Sequence, residues 1–151
     1  MFIRRPGSES DAAPVTSGSH CDTQPTGGRF DGIFGVLAAL EALEAIDDAK
    51  LVTRRPLEAA IWNNEEGVRF TPSFMGSSIY AGSVPLETML AATDSDGVTM
   101  GSAVQSLRAA LPNAGHRPLG DPSLRRDPFS PFWGALLGGL LFSSGLPPVT
   151  I

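Results

Sequence analysis

The chain has 151 residues and is 42% apolar, enough for one domain with a sizeable core and too apolar for a disordered chain. Eleven Lys and Arg against sixteen Asp and Glu give a net charge of -5, and the basic residues never run longer than a pair, which excludes the basic stripe of a nucleic-acid binder. A single cysteine, Cys21, excludes an internal disulfide framework and fits a reducing cytoplasm, and the first seven residues lack the apolar run of a secretion signal.

Phe2-Ile3 ahead of Pro6-Gly7 reads as an edge strand running into a turn. Residues 13–19 are small and partly β-branched, so they read as a short buried strand that delivers His20 at its C-terminal end. A glycine-rich loop follows, and then Ile33, Phe34, Val36, Leu37, Leu40, Leu43 and Ile46 recur at three- and four-residue spacing. This periodicity predicts an amphipathic helix over 32–47, with Asp31 at or just before its N-terminus, where free backbone N–H groups favour a carboxylate. Asp47 and Asp48 mark its exit, although acid at a C-terminus is unfavourable.

Residues 57–63 read as the next strand, delivering Glu65 and Glu66 to a loop beyond its end. Strand, helix and strand in that order imply a parallel pair with a right-handed crossover. The His20 and Glu65 loops then lie at the same edge of an α/β sheet. Short helices are predicted over 72–81 and 85–92, and a longer one over 100–111 with Val104, Leu107 and Leu111 on one face.

The stretch from Gly18 to Gly32 sets one imidazole and two carboxylates among glycines, a composition suited to a metal site at a strand end. His20 offers an imidazole nitrogen, Asp31 a carboxylate able to bridge two ions about 3.5 to 4 Å apart, and of Glu65 and Glu66 one can bind while the other acts on water. Asp22 is better placed to fix the orientation of the imidazole than to bind directly.

The run GSHCDTQPTGGRFDG, the helix after it and NNEEGVRF resemble the dinuclear-metal amidohydrolases that include N-carbamoyl-L-amino-acid hydrolases, β-ureidopropionases and allantoate amidohydrolases, relatives of the metallo-aminopeptidases. The resemblance runs from about Phe2 to about residue 120. It implies a three-layer α/β/α sandwich of the zinc-exopeptidase type, present in part. It further implies His20 as ligand to one ion, Asp31 as the bridge, Glu66 as ligand to the other and Glu65 as general base, with Asp22 orienting. Two divalent ions (Zn, Mn or Co), a small ureido or amide substrate and a homodimer formed through a lid domain are implied by the same likeness.

The lid domain, the later part of the catalytic domain and a His-Ile-Glu-Gln-Gly-Pro-like segment are not found here. Residues 1–121 are therefore expected to be a partial hydrolase domain, and residues 122–151, largely apolar and uncharged after Asp127, to lie outside the family's sequence, as in a truncated or frame-shifted gene product. The run from Phe132 to Phe142 is short and broken for a spanning helix; a membrane anchor and an oligomer contact are its other readings. Cys21 is expected to pack as a small core residue and His116 to sit in a surface loop. Arg29, Asn64 and Arg69 are expected to balance charge at a rim rather than bind a substrate carboxylate. The alternatives carried are a metallo-exopeptidase of the same architecture and an inactive fragment.

Overall fold

In a computed structural model of the chain, residues 1–113 and 141–143 are described. The described elements are β1 (Phe2–Arg5), β2 (Val15–His20), α1 (Ile33–Asp48), β3 (Leu57–Trp62), α2 (Met75–Tyr80), α3 (Leu86–Leu90), α4 (Met100–Ala110) and β4 (Leu141–Ser143). The strands form a sheet of order β1-β3-β2-β4. β2 and β3 run parallel, Val15 opposite Leu57 and His20 opposite Trp62, while β1 on β3 and β4 on β2 are antiparallel. The expected edge strand, the parallel pair and the shared edge of the two loops are all present. His116, the boundary near residue 121 and the apolar run from Phe132 lie outside the described residues, apart from the backbone of 141–143.

Glycine 18 explains how closely β2 and β3 approach. A Cβ there would fall 1.9 Å from the carbonyl oxygen of Ala60, a separation that a backbone group cannot yield to. Small residues continue the contact: Ser19, Ala59 and Ala60 are almost wholly buried. Successive strand residues face opposite ways. Arg5 reaches Asp47 of α1, so its face of β1 looks toward that helix, whereas Phe2 packs edge-on against Trp62 at 5.7 Å and both rings meet Tyr80 of α2 on the other face.

α1 buries Gly35, Val36 and Ala39, with Ile33, Leu40, Leu43 and Ile46 half-buried. Phe34 and Leu37, which the periodicity places on the same stripe, instead stand 64% and 57% exposed, because the small residues define a narrower contact face turned away from them. The helix ends in a Schellman motif: Leu51 N–H donates to Ile46 O, Lys50 N–H to Asp47 O, and Lys50 takes the left-handed conformation at φ 54°. The unfavourable acid at this end is answered by Arg5, whose Nε lies 2.6 Å from Asp47 and whose Nη2 donates to Leu51 O.

The remaining helices are shorter than their predicted spans and close on a cluster of Phe70, Met75, Met89 and Met100. Ala103 and Val104 pack against this cluster, but Leu107 and Leu111 stand about half exposed. α4 is started by Thr99, whose hydroxyl accepts from Ser102 N–H. Ahead of it Asp94 folds a turn on itself, accepting from Asp96 N–H and Val98 N–H while it pairs with Arg69 at 3.0 Å. Among the described residues, no helix is long and apolar enough to cross a membrane.

Candidate metal centre

His20 is the last residue of β2 and is 3% exposed. Its Nδ1 lies 2.8 Å from the backbone carbonyl of Asp22. A carbonyl only accepts, so the partner assigns the proton to Nδ1 and leaves the Nε2 lone pair outward. Gly32 makes room for the ring. It takes φ +70° at the start of α1, and a Cβ there would meet ring atoms of His20 at 2.4 Å. No side chain caps α1, so Asp31, one residue earlier, does not spend its carboxylate on the helix end as a cap would.

The Glu65-Glu66 turn is fixed from three sides. Asn64 and Gly67, on either side of the pair, both have positive φ, at 49° and 69°. The first N–H groups around α2 donate to the turn's carbonyls, Phe74 to Glu65 O, Met75 to Asn64 O and Gly76 to Asn63 O. Asp22 closes the third side, its Oδ1 accepting from Glu65 N–H at 3.2 Å and its Oδ2 from Glu66 N–H at 2.9 Å.

Donor atoms of His20, Asp31 and Glu66 come within 4.8 Å of one another. Glu65 sits beside them, its Oε2 3.5 Å from His20 Nε2. With the proton on Nδ1, two lone-pair atoms face each other there, and a proton or a cation between them is what such an arrangement accommodates. Desolvation by partial burial, above all, raises the Glu65 carboxyl above its usual 4.5; the charges of Glu66, Asp22 and Asp31 add to this, and only His20 opposes it. One borderline imidazole with two hard carboxylates fits a divalent ion of the Zn, Mn or Co kind.

The five residues expected at the site are thus brought together. Asp22 differs in detail: its backbone carbonyl makes the close bond to His20, and its carboxylate, 3.7 Å from Nδ1, serves the Glu65-Glu66 backbone instead. Cys21 is exposed, correcting the expectation that it packs in the core, since it follows the strand's inward-facing His20 on the opposite side. Asn64 is also corrected. It is 6% exposed, and its amide donates to Phe70 O and accepts from Phe70 N–H, so it braces the turn and takes no place at a rim. Arg69 balances Asp94 and lies over the Phe70 ring, as charge balance requires. Arg29 is exposed.

Two residues escaped the sequence reading. Gln24 donates to Glu66 Oε2 at 3.0 Å across 42 positions, and Gly32 shapes the His20 pocket. A glycine directly after a candidate ligand and before a helix was a usable signal for the second. A cavity of about 330 Å³ shares Asp22 with the centre and is floored by Phe70 and Met100.

Residues 16–114 match the family described as Peptidase family M20/M25/M40. An N-carbamoyl-L-amino-acid amidohydrolase of Rhizobium meliloti is 45% identical over 107 residues, 71% of this chain and 26% of that protein. A ureidoglycolate hydrolase of Oryza sativa is 38% identical over 70% of this chain and 22% of its own length. Among solved structures, an amidase of the hydantoinase/carbamoylase family from Burkholderia multivorans superposes with a TM-score of 0.73 at 48% identity, covering 80% of this chain and 28% of that one. The chain spans about a quarter of the length of the curated relatives it matches. The motif resemblance and the α/β architecture agree with these matches, and the chain belongs to peptidase family M20/M25/M40.

Proposed function

We propose that this chain carries part of the active site of a metal-dependent hydrolase of linear amide and ureido C–N bonds, acting on N-carbamoyl-L-amino acids or allantoate-like substrates. The convergence of His20, Asp31 and Glu66 donor atoms within 4.8 Å, with Glu65 beside them, carries the reading. The names of the relatives, an N-carbamoyl-L-amino-acid amidohydrolase and a ureidoglycolate hydrolase, support the substrate class.

His20 through Nε2, Asp31 and Glu66 would hold the ion. A bound divalent ion supplies Lewis acidity toward the substrate carbonyl and makes water more acidic. Glu65, made more basic by its surroundings, takes the proton of the attacking water and returns it to the leaving nitrogen. Asp22 holds the turn that aims both glutamates. A carbamoyl amino acid and one water yield ammonia, carbon dioxide and the free amino acid. The cavity beside Asp22 gives room for the substrate's side chain.

Three protein donors serve one ion, and a two-ion hydrolytic centre needs more than the described residues supply. We therefore expect ion binding with little turnover from the 151-residue chain, in a cytoplasmic setting that its single cysteine suits. The test is to measure zinc, manganese and cobalt on the purified chain together with ammonia release from N-carbamoyl amino acids. Vigorous turnover that disappears with Glu65→Gln would show that this chain alone completes the site. Release of amino acids from dipeptides instead would favour the exopeptidase reading, and a chain that binds no ion would be an inactive fragment.

A further inference from the structure

We propose that Gln24 is a positioning residue that presets the carboxylate of Glu66 for a divalent ion. The inference rests on the reading of Glu66 as a metal ligand given above. Gln24 stands in a turn of the loop after β2, its backbone carbonyl accepting from Gly27 N–H at 2.9 Å, with Pro25 restricting the chain just after it. From there its Nε2 donates to Glu66 Oε2 at 3.0 Å.

The same loop grips Glu66 a second time. Asp22, two residues earlier, accepts from Glu66 N–H at 2.9 Å, so backbone and side chain of one glutamate are both held by residues 22–24. A glutamate on a turn keeps several rotatable bonds, and an ion that has to order them binds more weakly. An amide suits the task better than a cation. It donates one hydrogen bond and occupies one oxygen's lone pair, leaving the carboxylate's negative charge and remaining lone pairs for the ion, whereas Lys or Arg would neutralise that charge and repel the metal. The hydrogen bond that ties Gln24 to the cluster of His20, Asp31 and Glu66 ends on a Glu66 carboxylate oxygen, so its effect on the ion passes through Glu66.

A double-mutant cycle on the full 151-residue chain tests this, with Zn(II) and Co(II) affinity measured by competition titration and the visible cobalt spectrum read in parallel. Gln24→Leu keeps the side chain's bulk and removes its donor. Ion affinity is expected to fall about tenfold, the lower end of what loss of a ligand's supporting hydrogen bond costs, with a changed cobalt spectrum and an unchanged thermal midpoint of the metal-free chain. In a Glu66→Ala background, which by itself weakens binding, Gln24→Leu is expected to have no further effect. Unchanged affinity in Gln24→Leu overturns the proposal, and so does an equal loss with and without Glu66, which would mean that Gln24 acts elsewhere. A Glu66→Ala chain that binds as tightly as the parent, or a parent that binds neither ion, overturns the reading of the site itself and the proposal with it.

Discussion

Between β2 and β3 the closest contacts are made by Gly18, Ser19, Ala59 and Ala60, whereas α2, α3 and α4 close on Phe70, Met75, Met89 and Met100. In the first region backbones meet almost directly, so positions are set by atoms that cannot move. In the second, flexible thioether side chains fill irregular space and adapt to it. The candidate centre straddles both: His20 ends β2 in the rigid region, Asp31 follows in the turn just before α1, and the Glu65-Glu66 turn is bolted to the start of α2. A ligand set can therefore be placed firmly by the sheet and adjusted from the helical side.

Substitutions that add or remove a few atoms should separate the two modes of packing. Gly18→Ala is expected to do the most harm, more than about 4 kcal/mol, because its Cβ would overlap the Ala60 carbonyl; loss of the cooperative urea transition is the measurement, and a normal transition would refute the account of close approach. In the helical region Met75→Ala should cost about 2 to 5 kcal/mol for the cavity it leaves. Met75→Leu should cost under about 1.5 kcal/mol there, since volume is kept and the neighbouring methionines can repack. Equal losses for the two variants would show that this cluster is as rigid as the sheet.

Two glycines with similar positive φ sharpen the contrast further. At Gly97, with φ 78° and nothing within 4 Å of a new Cβ, alanine should cost about 1 to 2 kcal/mol of left-handed strain alone. At Gly32 the backbone, with φ 70° and ψ -58°, falls outside the left-handed helical well and a Cβ would also overlap the His20 ring, so Gly32→Ala should cost more and abolish ion binding, which calorimetric titration would record. Identical unfolding curves for the two would mean that the ring moves freely.

The smallest effect concerns Asp94. Desolvation alone would raise its carboxyl, but the N–H of Val98, the Arg69 guanidinium and the N–H of Asp96 outweigh it and hold the carboxyl below its usual 3.8. A lowered folded value means that the unfolded chain binds the proton more readily, so the carboxylate's contribution is full above the unfolded value and disappears as pH falls through the folded one. Asp94→Asn should lower the urea midpoint modestly at neutral pH and leave it unchanged in strong acid. A midpoint shift that persists in acid would assign the effect to packing instead.

Local rules carried the reading of the sequence a long way. Apolar periodicity placed α1 and α4 to within about a residue at most ends, and the strand, helix, strand order put the His20 and Glu65 loops at one edge, because a parallel crossover leaves no other arrangement. Residue chemistry and spacing then named His20, Asp22, Asp31, Glu65 and Glu66 as one cluster. Periodicity did not reveal that Phe34 and Leu37 face outward, since a helix stripe is defined by what packs against it and not by hydrophobicity alone.

What the sequence determined by itself was the family, the α/β class and the identity of the polar residues at the strand ends, all of which depend on neighbours along the chain or on motif order. Only the tertiary structure decided that Asp22 spends its carboxylate on the Glu65-Glu66 backbone, that Asn64 is a buried brace and that Gln24 meets Glu66. Each of these is a hydrogen bond whose partner was chosen by how two loops fold against each other. Side-chain bonds of that kind depend on separations of a few tenths of an ångström, and spacing along the chain does not encode them.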